Sequence, residues 1–240
     1  GNAVDPFSQI DKYGADAVRW YMLTNSQPWD NLRYDEAGVD EVRRKFFGTL
    51  YNTYSFFALY ANLDNFDPKA PAVPYSDRPE IDRWIISLMN TLIKDVRAAY
   101  EDYDVTLAGR LIQDFVCDHV SNWYVRLNRK RFWGSGSDRD KLAAYQTLYE
   151  VLRNIAVLSA PIAPFFMDRL YLDLVPDGEE SVHYAMMPEP DGNLIDKDIE
   201  ERMELAQRAS SMVLALRRKV NIKVRQPLSK LVIPVISDKV

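Results

Sequence analysis

Eleven consecutive residues carry the densest candidate chemistry of the chain: Trp123-Tyr124-Val125-Arg126-Leu127-Asn128-Arg129-Lys130-Arg131-Phe132-Trp133. Four of them are basic and none is acidic. On a helix, Arg126, Arg129 and Lys130 share one side, because steps of three and four residues bring side chains together. Arginines so placed can make paired hydrogen bonds to phosphate oxygens. Trp123, four residues before Leu127, reads as a core residue. Phe132 and Trp133 stand near the helix end and are not so readily assigned to the core. Basic residues at a helix C-terminus also complement the helix dipole. Charge alone therefore leaves a phosphate-binding role and a structural role both open.

A second basic stretch lies near the C-terminus. From Leu205 to Ser237 there are seven Lys or Arg and no Asp or Glu, whereas Gly1 to Glu204 carries a net charge of −12. A positive arm on an acidic body suggests a polyanionic partner. Arg217, Arg218 and Lys219 are adjacent and splay around a helix. Lys223 and Arg225 alternate, as on one face of an extended segment. The alternative is a solvated helix face running into a linker. Phosphate contacts from such residues would position a nucleic acid and give salt-dependent affinity without reading bases.

Other chemistries find little support. His119 and His183 are the only histidines, and neither has Cys, His or carboxylates around it at metal-ligand spacing. The single Cys117 cannot form an internal disulfide and reads as a small buried residue. Glu101, Asp102 and Asp104 read as a solvated helix end. There is no phosphate-binding glycine loop, dinucleotide fingerprint or serine elbow. No catalytic and no metal-binding residue is expected. The net charge of −5 argues against indiscriminate nucleic-acid binding. No apolar run is long enough to span a membrane. The lone cysteine and the lack of a signal-like start favour the cytoplasm.

The elements that must position these residues are helices. Apolar periodicity predicts helices over roughly 11–26, 35–63, 79–100, 104–132 and 138–159, a short one to 174, and a last one over 196–220. Pro68, Pro71 and Pro74 make 64–76 a rigid linker. Gly134-Ser135-Gly136-Ser137 separates the fourth helix from the fifth. Leu231 to Ile236 reads as a β segment with no partner strand in the sequence. The fold class is all-α, an antiparallel helix bundle.

Several segments resemble isoleucyl-tRNA synthetases, of class Ia of the aminoacyl-tRNA synthetases. Ser121-Asn122-Trp123-Tyr124-Val125-Arg126 followed by Arg129-Lys130-Arg131-Phe132-Trp133 is similar to their Ser-Asn-Trp-Tyr-(Ile/Val)-Arg…Arg-Arg-Arg-Phe-Trp stretch, with Leu127-Asn128 less basic than theirs. Lys223-Val224-Arg225-Gln226-Pro227-Leu228-Ser229 resembles the segment after their anticodon-binding helical domain. Gly1-Asn2-Ala3-Val4-Asp5-Pro6 and Tyr13-Gly14-Ala15-Asp16-Ala17-Val18-Arg19 resemble the stretch directly after their Lys-Met-Ser-Lys-Ser loop. Asn31-Leu32-Arg33-Tyr34 looks like the eukaryotic-type branch. Ala160-Pro161-Ile162-Ala163-Pro164-Phe165 resembles a turn shared with valyl and leucyl relatives.

The resemblance implies a bundle of the class Ia anticodon-binding type. Residues 1–34 would be a stem-contact segment and connector, 35–220 the anticodon-arm-binding bundle, and 221–240 the start of a truncated C-terminal junction domain. It implies isoleucine tRNA as partner, contacted by Arg126, Arg129, Lys130, Arg131, Trp133, Arg217, Arg218, Lys223 and Arg225. The catalytic and C-terminal domains of a longer, monomeric ligase would be the other partners. That ligase would use ATP and Mg, with room for zinc elsewhere in it. These 240 residues would hold no cofactor and would be inactive alone. The alternatives are a scaffold docking those domains and the equivalent domain of a valyl or leucyl enzyme.

Overall fold

Three aspartates mark where the chain turns into helix. Asp5 accepts a hydrogen bond from the Ser8 amide, Asp35 from Ala37 and Asp104 from Leu107. Each satisfies a backbone donor that the helix itself cannot. The computed structural model describes residues 4–134 and 138–232. The helices are α1 (Pro6–Tyr13), α2 (Ala15–Thr24), α3 (Glu36–Val42), α4 (Gly48–Leu63), α5 (Glu80–Glu101), α6 (Val105–Asp114), α7 (Arg126–Trp133), α8 (Asp138–Ser159), α9 (Pro164–Leu174) and α10 (Lys197–Lys219). No strand occurs among the described residues.

The expected β segment lies mostly outside the described residues; Leu231 and Val232 carry no regular structure. The chain divides into two compact units, Gly1–Lys197 and Asp198–Val240.

Two differences from the sequence expectation have clear causes. The first expected helix is two, because Gly14 adopts φ +85° between α1 and α2, a conformation that favours glycine. The second and fourth expected helices are each interrupted by a π-helical stretch, Arg43–Phe47 and Phe115–Val125. These stretches bond i to i+5 without breaking the rod, and across the second the buried residues Ile112, Val116, Val120, Tyr124, Asn128 and Phe132 recur every four residues rather than every 3.6. Both carry aromatic residues inward, Phe46 and Phe47 from the first and Phe115 and Tyr124 from the second.

Within the first unit the core is aromatic and continuous. Trp20 of α2 is fully buried and stacks on Phe46 at 4.1 Å, while its indole N–H donates to Gln113 of α6 at 3.1 Å. Gly109 lets α6 approach α2, since a Cβ there would lie 2.4 Å from Thr24 Cγ2. Arg19 donates to the carbonyls of Ile162 and Pro161, and Asp16 accepts from the Phe166 amide at the start of α9. The 70–78 connector is strapped to α8 by Gln146, which accepts from the Val73 amide and donates to the Pro71 carbonyl. Arg78 adds bonds to Val73 and Thr147.

Candidate nucleic-acid interface

α7 has eight residues and two faces. At 3.6 residues per turn, about 100° per residue, Arg126, Arg129, Lys130 and Trp133 fall within an arc of roughly 100°. Asn128, Arg131 and Phe132 fall on the opposite arc. Burial follows this division. Arg126, Arg129, Lys130 and Trp133 are exposed; Asn128 and Phe132 are buried. None of the three exposed cations has an ion-pair partner among the described residues. Trp133 is 53% exposed and its ring is tilted against Tyr60 at 6.5 Å.

Arg131 departs from the expectation that it faces a ligand. Its Nη1 and Nη2 donate to the two carboxylate oxygens of Asp82, at 2.6 and 2.9 Å, and Asp82 is fully buried. Nε and Nη2 also donate to the Asp140 carboxylate at 3.0 and 2.8 Å. Nη2 reaches the Asp140 carbonyl, and Nη1 the Asn128 side-chain oxygen. Tyr124 donates its hydroxyl to Asp82 at 2.8 Å.

Burial disfavours the charged guanidinium, but the bonds to Asp82 and Asp140 outweigh it and hold the Arg131 pKa above its ordinary value. Burial, then the adjacent Asp82 charge, pushes the Tyr124 hydroxyl well up. Phe132 is likewise a core residue, edge-on to Phe56 and Tyr145 at 5.2 Å.

The solvent side of the rod changes sign along its length. Asp114, Asp118, Asn122, Arg126 and Lys130 recur every four residues and all are exposed. A polyanion would meet repulsion at the α6 end and attraction at the α7 end.

In the second unit the basic arm has its own local order. α10 ends in a Schellman turn: Ile222 N–H donates to the Arg217 carbonyl and Asn221 N–H to the Arg218 carbonyl, with Asn221 at φ +57°. Arg217 Nη1 donates to the carbonyls of Lys223 and Gln226 at 2.8 and 2.9 Å. Through Nη1 it shapes the turn. Arg218, Lys219, Lys223 and Arg225 are exposed.

The remaining candidates take quiet positions. His119 packs against Trp84 and Phe115. Burial raises the Cys117 thiol to about 11, which removes thiolate character at neutral pH. No group of three or more His, Cys, Asp or Glu able to hold a metal ion occurs among the described residues. No described helix is long and apolar enough to cross a membrane.

A helical unit that turns unpaired cations and a half-exposed tryptophan outward on one short helix suits a polyanion with accessible bases, and solved tRNA synthetases have this fold. The ternary complex LeuRS–tRNA–LeuAMS of Agrobacterium radiobacter K84 matches with a TM-score of 0.60 at 22% identity, over 82% of this chain and 22% of that one. Apo methionyl-tRNA synthetase of Mycobacterium tuberculosis matches with a TM-score of 0.61 at 24% identity, over 77% and 37%.

Residues 82–233 match the family described as the anticodon-binding domain of tRNA ligase, and the chain belongs to that family. It is 62% identical to isoleucine–tRNA ligase of Bacteroides fragilis over 99% of its length, and 60% identical to that of Porphyromonas gingivalis over 100%. The chain spans about a fifth of those relatives, 21% of each.

Proposed function

We propose that this chain holds the anticodon arm of isoleucine tRNA within a longer, monomeric isoleucine–tRNA ligase, gripping it through the outward face of α7. The observation that carries this reading is the set of three unpaired cations, Arg126, Arg129 and Lys130, on one arc of α7 beside the exposed Trp133. They lie inside the stretch that matches the anticodon-binding family. Arg218, Lys223 and Arg225 form a second set of phosphate contacts. Arg131 and Arg217 serve the architecture.

The 62% identity to an isoleucine enzyme supports isoleucine tRNA over the valyl and leucyl alternatives. The ATP-dependent ligation belongs to other parts of the longer protein. Binding energy from the remote arm of the tRNA would orient its acceptor end for that chemistry.

The test is equilibrium binding of the chain to isoleucine tRNA and to an unrelated tRNA at several salt concentrations. Replacing Arg126, Arg129 and Lys130 with Ala together is expected to lower the salt slope by roughly 2–3, at 0.7–0.9 per phosphate contact. An unchanged slope would remove α7 from the interface.

A second reading, docking of other domains of the longer protein, has one observation in its favour. Tyr13, Phe47, Tyr51 and Phe165 line an apolar groove of about 470 Å³ in the first unit. Docking through the α7 cations would show as lost stability of the longer protein with an unchanged slope.

A further inference from the structure

The cations of α7 pose a problem of orientation that the sequence of α7 cannot solve. α7 is the last two turns of the rod that begins with α6, anchored along the chain at one end only and open to fraying at the other. Arg126, Arg129 and Lys130 are also like charges at helical spacing, which weakens it further. No acid within α7 offsets them.

The compensation comes from behind. Asp82 in the first turn of α5 and Asp140 near the start of α8 converge on Arg131 from two other elements. Tyr124 and Asn128 tie the preceding turns to the same point, the Asn128 amide donating to the Tyr124 carbonyl at 2.7 Å. Arg131 sits between the two cations Arg129 and Lys130 on one side in sequence and Trp133 on the other, on the arc facing away from all three.

We infer that the Asp82–Arg131–Asp140 network is the positioning device of the tRNA-facing side of α7, fixing the rotation of the helix so that Arg129, Lys130 and Trp133 point outward together. Arg131 is a positioning residue that acts on tRNA through its neighbours. The bonds it makes are directional and charge-assisted, so they specify an angle as well as a contact. A lysine at the same place keeps the charge and loses the fork that spans two carboxylates. This inference rests on the reading of α7 as the tRNA face.

The test compares Arg131→Lys, Arg131→Ala and Asp140→Asn with the unmodified 240-residue chain. Two readouts are needed: tRNA binding across a salt series, and amide hydrogen exchange without tRNA. Arg131→Lys is expected to speed exchange at residues 129–133 while the α5 core from Ile85 to Val96 stays protected. It is also expected to weaken isoleucine tRNA binding about tenfold at every salt concentration, with the slope unchanged. Asp140→Asn keeps Asp82 paired and should show the same pattern at smaller size.

The inference is overturned if Arg131→Lys binds like the unmodified chain and Arg131→Ala alone lowers the slope by about one contact, which would make Arg131 a phosphate ligand. It is equally overturned if exchange rises throughout the bundle and affinity falls only with the folded fraction. If the unmodified chain does not bind tRNA, the proposed function fails. A local exchange change at 129–133 would then identify a structural clamp only, and the positioning role would fall with it.

Discussion

The two basic regions each give one arginine to their own architecture, and they do so in opposite ways. In α7, Arg131 is tied to carboxylates that lie 49 and 9 residues away in sequence, on two other helices. In the last turn of α10, Arg217 is tied to backbone carbonyls 6 and 9 residues ahead. The first arrangement is tertiary and buried, with Asp82 wholly out of solvent. The second is local and exposed.

The difference shows two ways of holding cations outward. One lodges an inward arginine in the core, so the orientation of its outward neighbours depends on the whole unit. The other folds a short turn on itself, so the aim of Arg218, Lys223 and Arg225 depends on a few residues only. The first costs desolvation and gives a fixed face. The second costs little and gives a face that reorders locally.

The largest effect is expected from Arg131→Ala. It leaves Asp82 buried without its counter-charge, and losing one partner of a buried pair costs about 3–5 kcal/mol. Chemical denaturation monitored by circular dichroism should show the midpoint of the first unit falling steeply. A loss below about 1 kcal/mol, the range of exposed pairs, would mean that Asp82 is solvated in practice and that the two regions do not differ in kind.

Much of this arrangement can be read from the sequence, and the parts that cannot share a cause. The α5, α8 and α9 boundaries follow from periodicity, Pro79, Pro164 and the glycines after Trp133. The grouping of Arg126, Arg129 and Lys130 on one side follows from spacing alone. The same rule separates Arg131, since it lies three residues after the buried Asn128 and one before the buried Phe132. What hides its role is that a basic run reads as uniformly solvated when the partner carboxylate is distant along the chain.

Phe132 is hidden for a similar reason, because a residue at a helix end shows no burial signal without its neighbours Phe56 and Tyr145. The longer π-helical stretch leaves only a step of four between buried positions, close enough to 3.6 to read as one α-helix. Gly14 signals a possible break by being glycine but does not give the sign of its φ. The Schellman turn is legible in principle, since Asn sometimes stands in for Gly at that position.

In the arm, the expected effects are smaller and confined. Asn221→Val places a β-branched residue at φ +57° and should cost about 1–2 kcal/mol. That cost should appear as fraying of the last turn of α10, while the first unit keeps its midpoint. Asn221→Gly removes the strain and should preserve the turn. Loss of first-unit stability on Asn221→Val would show that the arm is not locally ordered.

The smallest effect belongs to Arg217→Ala. It deletes two solvent-exposed hydrogen bonds to carbonyls, about 1 kcal/mol together at the low end of the usual range of about 0.5–1.5 each. The backbone bonds of the Schellman turn remain. Faster exchange should appear at the Gln226 amide, whose bond to the Lys223 carbonyl lies within the turn that Arg217 spans. The Ile222 amide, held by the Arg217 carbonyl rather than by its side chain, should keep its protection. If both amides lose protection equally, the side chain of Arg217 is what closes the helix end, and the arm depends on a single residue much as α7 depends on Arg131.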